Sequence, residues 1–305
     1  MLSNQWERRR QILRLIRLGE NEFRLGHHRY MRSPRKIVET ASNGISLLAQ
    51  LRDVSEFSSR NTTKGALLNE AFLIFKALRE NAATVAELRE NALRGQSFPR
   101  ASYENRQRIW DCIHYRYFAP GIASVAAGLA AATASGVGSP AFVSLAYLYF
   151  SLRDHLTFDL VTRLLWERWC ARSLIISVGD VLEFLDVQSS EHPVVKKWSP
   201  STRTKLAQSI LAALRDFGVL RGRYNKQIQR PAASPETVFQ LLCVLLSEGH
   251  HGRAVIEAPD WRLFLWSEDD AAKALADLAQ RRWIRFERGG RTVILELIRT
   301  SEVGA

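Results

Sequence analysis

The stretch WSPSTRTKLAQSILAALRDFGVL, residues 198–220, predicts a helix with two different faces. Ser199 suits a helix cap, Pro200 suits the first helical position, and Gly218 suits the stop. At about 3.6 residues per turn, the apolar side chains fall on one side and a polar set falls on the other. The first turn carries hydroxyls and cations, although a helix start usually favours acids. The pattern predicts that one side packs on a core while the N-terminus faces an anion.

The anion that fits this helix start best is the phosphate of DNA. Free N–H groups at a helix N-terminus bind phosphate, and nearby hydroxyls and cations add hydrogen bonds and charge. Arg203 lies nearer the apolar side, but its side chain is long enough to reach past the helix end. The candidate DNA contacts on this helix are Ser199, Ser201, Arg203, Thr204, Lys205 and Gln208.

A second copy of the pattern lies earlier in the chain. The segment TVAELRE (84–90) resembles SVGDVLE (177–183), and SYENRQRIWDCIHYRY (102–117) matches the spacing of the helix described above. A short helix, a turn and a longer second helix make a helix-turn-helix, whose second helix lies in the major groove. The candidate DNA contacts in the earlier copy are Ser102, Arg106 and Arg108. For any single residue a cap or a solvated charge is the simpler interpretation, but the duplication in a basic chain favours DNA binding.

Two segments predict β-hairpins. GVLRGRYNKQIQRPA (218–232) predicts a short basic hairpin, like the wing of a winged-helix unit. Its candidate DNA contacts are Arg221, Arg223 and Lys226. Two alternating runs around Gly289 and Gly290 predict a second hairpin. The helix before that hairpin opens with SEDD (267–270), whose acids suit the helix dipole and repel phosphate. We therefore expect the last unit to serve protein contacts or internal support.

The overall charge also favours a polyanionic partner. The chain of 305 residues has a net charge of +12, and 35 of its 43 basic residues are arginine, which pairs well with phosphates and base edges. A membrane surface is the second choice for such a charge. The three cysteines are isolated in sequence and form neither a disulfide framework nor a metal motif, so we expect a reducing cytoplasm.

One segment raises the alternative of a membrane anchor. Residues 117–152 contain no charged side chain, and about 20 apolar residues are enough to cross a bilayer. The first half is mostly Ala, Gly and Ser, which contribute little transfer energy, and SGVGSP (135–140) interrupts the run. We therefore favour two buried core helices over a membrane span.

The predicted fold is mainly α, with helix-turn-helix or winged-helix modules and small β-hairpins around a central pair of apolar helices. FSSRNTTKG (57–65) is predicted to be a linker because of its Ser, Asn and Thr content. The predicted units are a basic N-terminal arm with an amphipathic helix (1–60), a helical domain with the first helix-turn-helix-like unit (61–175), a second, winged unit (176–232) and a C-terminal winged-helix-like unit (233–305).

Motifs for catalysis or cofactor binding are weak. GVGSPA (136–141) imitates a dinucleotide-binding loop but follows an Ala-rich helix instead of a strand. APDWRLFLWSEDDAAK (258–273) lacks the acid-x-Lys spacing of a nuclease core. The histidine pairs 27–28 and 250–251 are adjacent, whereas metal ligands on one helix face are spaced by a turn. We expect no catalytic residues, no cofactor, no metal ligands and no small-molecule substrate.

The order of these pieces resembles the BrxA family of BREX phage-defence systems, which once carried the label of a putative inner-membrane protein. The resemblance runs over about residues 61–298. It is carried by TTKGALLNEAFLIFKAL, SYENRQRIWDCIHYRY, RDHLTFDLVTRLLWERW, ISVGDVLEFLD, the stretch 198–220, APDWRLFLW and the C-terminal hairpin. The resemblance implies a small, helical, soluble accessory protein that binds double-stranded DNA. It also implies that such a protein works beside a site-specific methyltransferase and ATPase subunits.

Two other functions remain open at this stage. The chain is a scaffold for a defence complex if its modules present surfaces to proteins instead of DNA. It is a membrane-associated protein if the uncharged run is exposed and the basic arm lies on anionic lipid.

Overall fold

The computed structural model describes residues 48–62, 64–81, 83–119, 121–223, 225–290 and 292–298. The amphipathic helix predicted within the N-terminal arm lies outside these residues. The described part of the chain is mainly helical, with two small antiparallel sheets, which confirms the predicted fold class.

The helices and strands follow one another in a regular order. The helices are α1 (Leu68–Asn81), α2 (Val85–Leu93), α3 (Tyr103–Tyr117), α4 (Ala123–Ala132), α5 (Pro140–Leu152), α6 (His155–Asp159), α7 (Trp166–Cys170), α8 (Val178–Gln188), α9 (Pro200–Asp216), α10 (Pro235–Ser247), α11 (Arg253–Glu257) and α12 (Glu268–Gln280). The strands are β1 (Ile175–Ile176), β2 (Leu220–Arg221), β3 (Lys226–Ile228), β4 (Ile284–Gly289) and β5 (Thr292–Leu297). A π-helical segment, Leu160–Leu165, connects α6 to α7.

Helix α5 lies at the centre of the core. Ser139 caps it and Pro140 occupies its first turn. Every residue from Ser144 to Leu152 is buried, which explains why this stretch carries no charge. The Tyr147 hydroxyl donates a hydrogen bond of 2.9 Å to the carbonyl of Leu263, so the polar end of this buried side chain has its partner inside the protein.

Helix α4, the other half of the uncharged run, is buried along one side through Val125, Leu129 and Ala130. The two halves are therefore packed helices, as the sequence predicts. Within the described residues, none of the helices has both the length and the apolar character needed to cross a bilayer.

The structure confirms the duplicated helix pair. Thr84 and Ser177 cap α2 and α8, each in a capping box with an acid three residues later. Ser102 and Ser199 cap α3 and α9, and each hydroxyl accepts a hydrogen bond from the backbone N–H three residues later. Matching core positions are buried in both second helices, namely Ile109 and Leu206, Ile113 and Ile210, and Tyr117 and Leu214.

The second pair carries a three-stranded sheet that the described part of the first pair lacks. Strands β2 and β3 form an antiparallel hairpin directly after α9, and β1, which precedes α8, pairs with the other side of β3. The hairpin expected within residues 218–232 is therefore present. The hairpin expected near the C-terminus is also present, with Gly289 opposite Thr292 at its turn.

Residues 48–62, here called the N-terminal strap, pack along the core. The stretch predicted as a linker begins inside it, yet Phe57 and Asn61 are buried. The N–H of Asp53 donates to the carbonyl of Leu152 at 2.9 Å, so the strap is bonded to the end of α5. The linker prediction was wrong because polar composition does not show which of these side chains the fold buries. The domain boundaries themselves stay a prediction.

The strap is fixed at its start by a partly buried ion cluster, in which Asp260 is buried and the side chains of Arg52 and Glu248 are each 17% exposed. The Arg52 guanidinium donates two hydrogen bonds to Glu248, of 2.7 and 2.9 Å, and a third to Asp260, and it lies 4.8 Å from the centre of the Phe158 ring. Burial alone lowers the pKa of Arg52, but the hydrogen bonds and charges of Glu248 and Asp260 outweigh it and raise the pKa. The cluster joins the strap to the start of the loop after α10 and to the short 3-10 helix Pro259–Phe264.

The strap is fixed at its end by a buried arginine. The sequence pattern places Arg116 on the flank of α3, but the side chain is buried and donates to Asn61 Oδ1 at 2.7 Å and to the carbonyls of Lys64, Gly65 and Ala66. Burial raises the pKa of neighbouring Asp154, although hydrogen bonds from Thr157 and Asn61 and the charge of Arg116 work in the opposite direction.

Leu145→Asp tests the placement of α5. Leu145 is 1% exposed, so the substitution buries a carboxylate without a partner. We expect a loss of about 4 kcal/mol or more in the free energy of unfolding, measured by urea denaturation. Leu73→Asp is the matched control, because Leu73 is 45% exposed on α1, and it is expected to cost about 1 kcal/mol or less. Equal losses in the two variants contradict a buried α5.

Candidate nucleic-acid interface

The N-terminus of α9 is capped from within. The hydroxyl of Ser199 accepts the N–H of Thr202 at 3.2 Å and lies 3.0 and 2.9 Å from the hydroxyls of Ser201 and Thr202. Thr204 donates its hydroxyl to the carbonyl of Pro200 at 3.0 Å. The hydroxyl cluster therefore orders the first turn without a ligand. Of the predicted DNA contacts there, Ser199 and Thr204 use their hydroxyls to bond the helix backbone. Ser201 is exposed, and its hydroxyl is not part of the backbone cap.

The outward face of α9 carries the polar residues that the helical projection predicts. Ser201, Lys205 and Gln208 are exposed, while the apolar residues of the same helix are buried. Two further lysines, Lys196 and Lys197, are exposed in the 3-10 helix just before α9. Among the described residues, no carboxylate pairs with these three lysines, so their charges are available to a ligand.

Arg203 forms hydrogen bonds inside the second helix pair. Its guanidinium donates to the carbonyl of Val195, with Nη2 at 3.0 Å and Nε at 3.3 Å, and its Nη1 pairs with Asp186. Asp186 lies in α8, so the side chain connects the two helices and the segment between them. Arg203 as a phosphate contact stays a prediction, but in this structure its hydrogen bonds are used to hold the helix pair together.

The β2–β3 hairpin places more cations beside α9. Arg221 donates to Gln227 Oε1 at 2.8 Å across the hairpin, and Lys226 donates to the carbonyl of Arg223 at 3.2 Å. All of these partners are neutral, so the positive charge is not compensated by them. Gly222 allows the tight turn, because its φ is +89° and a Cβ there would lie 2.3 Å from the carbonyl oxygen of Asn225.

The first helix pair presents less charge. Ser102 caps α3 through the N–H of Asn105, and Arg108 is exposed. Arg106 is half-buried against the turn after α2, where a Cβ at Gly95 would lie 1.9 Å from its Nη1 atom. The exposed acids Glu104 and Asp111 lie on the same helix. Matching positions in the two units thus have matching exposure, but α9 has the stronger positive surface.

The charge is unevenly distributed along the chain. Residues 176–232 contain nine Lys and Arg against five Asp and Glu, a net charge of +4. Residues 233–305 contain nine against eleven, a net charge of −2. In the described part of that last unit, acids of the α12 first turn pair with arginines, as Asp270 does with Arg230 and Asp269 with Arg288. The positive surface belongs to the second helix pair and not to the C-terminal unit.

A family comparison connects this geometry with known proteins. The model of the BrxA family matches residues 55–242, which is more than half of the chain and includes the second half of the strap, both helix pairs and the β2–β3 hairpin. The chain belongs to the BrxA family. Membership of this family associates the chain with BREX antiviral defence. The resemblance stated from the sequence motifs is confirmed.

The fold is also found in a solved structure. A crystal structure of an uncharacterized protein from Magnetospirillum magneticum matches with a TM-score of 0.53 at 13% sequence identity. The match covers 70% of this BrxA-family chain and the whole of that chain. At this identity the likeness concerns the fold alone. Among curated proteins, none matches the chain.

The connections inside the helix pairs are longer than expected. Residues 94–102 separate α2 from α3, and residues 189–199 separate α8 from α9, whereas a simple helix-turn-helix has a turn of about three to four residues. The longer connection of the second pair holds Lys196 and Lys197, which were not among the predicted contacts. The sequence does show their position, because the two lysines come directly before Trp198 and the helix cap Ser199.

Separate substitutions of Arg203 and Lys205 distinguish their roles. Arg203→Ala removes hydrogen bonds to Val195 and the ion pair with Asp186, so we expect a loss of about 1–2 kcal/mol in the free energy of unfolding. Lys205→Ala removes an exposed charge and is expected to change it by less than about 0.5 kcal/mol. Urea denaturation followed by circular dichroism measures both. Similar effects in the two variants contradict the structural role of Arg203.

Proposed function

We propose that this chain is a non-catalytic accessory protein of a BREX system that binds double-stranded DNA in the cytoplasm, mainly through phosphate contacts. The observation that carries the proposal is the group of exposed cations around the start of α9. Lys196, Lys197 and Lys205 are exposed and have no carboxylate partner among the described residues. All three lie in the segment that precedes and begins α9, whose dipole adds a positive potential at its N-terminus.

The order of elements supports this proposal. Strand β1, helices α8 and α9, and the β2–β3 hairpin follow in the order of a winged-helix unit. In such a unit the second helix lies in the major groove and the hairpin follows the phosphate backbone. We infer that the outward face of α9, with Ser201, Lys205 and Gln208, meets the DNA. The hairpin cations Arg221, Arg223 and Lys226 then contact the flanking backbone.

The first helix pair supports binding in a lesser way. Of the two arginines predicted to contact DNA in that pair, Arg108 is exposed and Arg106 is half-buried, while Glu104 and Asp111 oppose phosphate. We propose that α9 supplies the main contact and that α3 adds at most a weak second one. A partner subunit of the BREX system, such as its methyltransferase or ATPase, is the proposed source of chemical activity.

A charge-matched pair of variants tests DNA binding. Lys197→Ala/Lys205→Ala removes two charges from the α9 surface, and Lys76→Ala/Lys273→Ala removes two exposed charges from α1 and α12. The first variant is expected to bind duplexes of different sequence more weakly by a similar factor. The slope of log affinity against log salt is expected to fall by about 2, because each lost phosphate contact contributes about 0.9. Fluorescence anisotropy between about 50 and 200 mM salt measures this slope.

The control variant has the same net charge as the first variant. If both variants lose the same affinity and slope, the total charge of the chain governs binding and the α9 surface is not the interface. If wild type shows no salt-dependent binding to any duplex, DNA binding is wrong for this chain.

Protein contacts through the C-terminal unit are a second candidate function. The observation that favours it is the net charge of −2 over residues 233–305, which does not suit DNA. We expect a BREX subunit to co-purify with the full chain after nuclease treatment, and to be lost when Asp269 and Glu268 are changed to Lys. Loss of the subunit on nuclease digestion alone shows that DNA connected the two proteins.

A further inference from the structure

Three side chains that are typical metal ligands lie together outside the candidate DNA interface. His155 and Asp159 stand one turn apart on α6, and His192 lies in the loop after α8. One ligand atom from each of the three lies within 4.8 Å of the others. We propose that His155, Asp159 and His192 bind one divalent transition-metal ion. Nothing in this proposal depends on DNA binding.

The carboxylate of Asp159 points to a missing ligand. Its Oδ2 atom is buried and has no hydrogen-bond partner, and its side chain is only 6% exposed. Arg163 Nη2 lies 3.5 Å from this atom and His155 Nε2 lies 3.8 Å from it, and both distances are longer than a normal N–H···O bond. A buried carboxylate oxygen without a hydrogen bond is costly. A cation between Oδ2 and the two imidazoles removes that cost.

The ring of His155 is oriented as in known metal sites. Its Nδ1 atom lies 2.7 Å from the carbonyl oxygen of Ser55 in the strap. A carbonyl only accepts hydrogen bonds, so in the neutral ring Nδ1 carries the proton and the lone pair lies on Nε2. Metal-binding histidines commonly donate their other N–H to a carbonyl or carboxylate, which fixes the ring and its tautomer. Nε2 is also the atom that faces Asp159.

The ring of His192 is held by stacking. Phe57, which is buried, lies parallel to it with 3.6 Å between ring centroids, and meets His155 edge to face at 5.3 Å. The loop that carries His192 is bonded back to α8, since its N–H donates to the carbonyl of Gln188 at 2.8 Å. The π-helical segment begins directly after Asp159, and such segments are frequent at functional sites.

The ligand types select the class of ion. Two imidazoles and one carboxylate suit Zn²⁺ and other first-row transition metals, whereas Mg²⁺ prefers oxygen ligands alone. Around a tetrahedral Zn²⁺ with bonds of about 2.0–2.1 Å, ligand atoms are about 3.4 Å apart, so the group needs only a modest contraction. Arg163 has to turn away from Asp159, and its existing contacts with Gln188 and Glu191 give it an alternative position.

The sequence shows only part of this site. His155 and Asp159 have the spacing of two ligands on one helix face, but His192 is 33 residues further along and comes near only through the fold. The expectation of no metal ligand was based on the adjacent histidine pairs, which have the wrong spacing. The proposed ion joins α6 to the connection between α8 and α9, so its binding stabilises the folded chain.

Metal titration of the tag-free, full-length chain tests the site. The chain is first freed of metal with a chelator and then given Zn²⁺ or Mg²⁺. Wild type is expected to bind one more Zn²⁺ per chain than His192→Gln, measured by elemental analysis after gel filtration. Its Tm is expected to rise by about 4 °C at Zn²⁺ concentrations about 100-fold above Kd, and to stay unchanged with Mg²⁺.

The chain offers a matched control. His250→Gln/His251→Gln removes the surface pair and is expected to keep both the extra ion and the shift in Tm. Equal Zn²⁺ binding by wild type and His192→Gln, or an unchanged wild-type Tm, overturns the proposal. If His192→Gln does not fold, Asp159→Asn takes its place. The visible absorption of Co²⁺-loaded wild type then decides, because histidine and carboxylate ligation in a protein differs from that of hydrated Co²⁺.

Discussion

The ion cluster of Arg52 with Glu248 and Asp260 connects the N-terminal strap to the C-terminal part of the described chain. The charge of Arg52 is satisfied by Glu248 and Asp260, which lie 196 and 208 residues later in sequence. A buried charge that loses its partner is strongly destabilising, so the strap and the C-terminal unit must be placed together. Between them lie α5 and the two helix pairs, and the strap crosses this core from Arg52 to the Asn61–Arg116 hydrogen bond. The orientation of the α8–α9 pair is in this way linked to residues far from it in sequence.

Local features of the fold follow from the sequence because local physics determines them. Ser102 and Ser199 cap their helices, and the apolar stripes behind them are buried, since capping and helical periodicity depend on a few neighbouring residues. The hairpin at Gly289 and the core position of the uncharged run follow in the same way. The exposure of Lys205 also follows, because a projection of one helix is enough to show it.

The remaining features depend on contacts between distant segments, which one sequence does not reveal. The sequence places Arg203 among the candidate phosphate contacts, but it does not show the hydrogen bonds that Arg203 makes with Asp186 and the Val195 carbonyl. Phe57 reads as part of a polar linker, but it is buried against His192. A helical pattern gives the direction of a side chain but not the identity of the surface it meets. The sequence therefore predicts which helix face forms the candidate site. It does not predict which groups the arginines on that helix bind.

The distance between Arg52 and its partners along the chain also has a consequence for synthesis. At about 5–20 residues per second, the ribosome makes Asp260 about 10–40 s after Arg52. For that interval the strap lacks the carboxylates that neutralise it, while α5, whose buried face is almost wholly apolar, has already been made. A nascent chain with an uncovered apolar helix and an unpaired cation is a natural substrate for chaperones. Native packing of the strap therefore waits until the segment that carries Glu248 and Asp260 has been made.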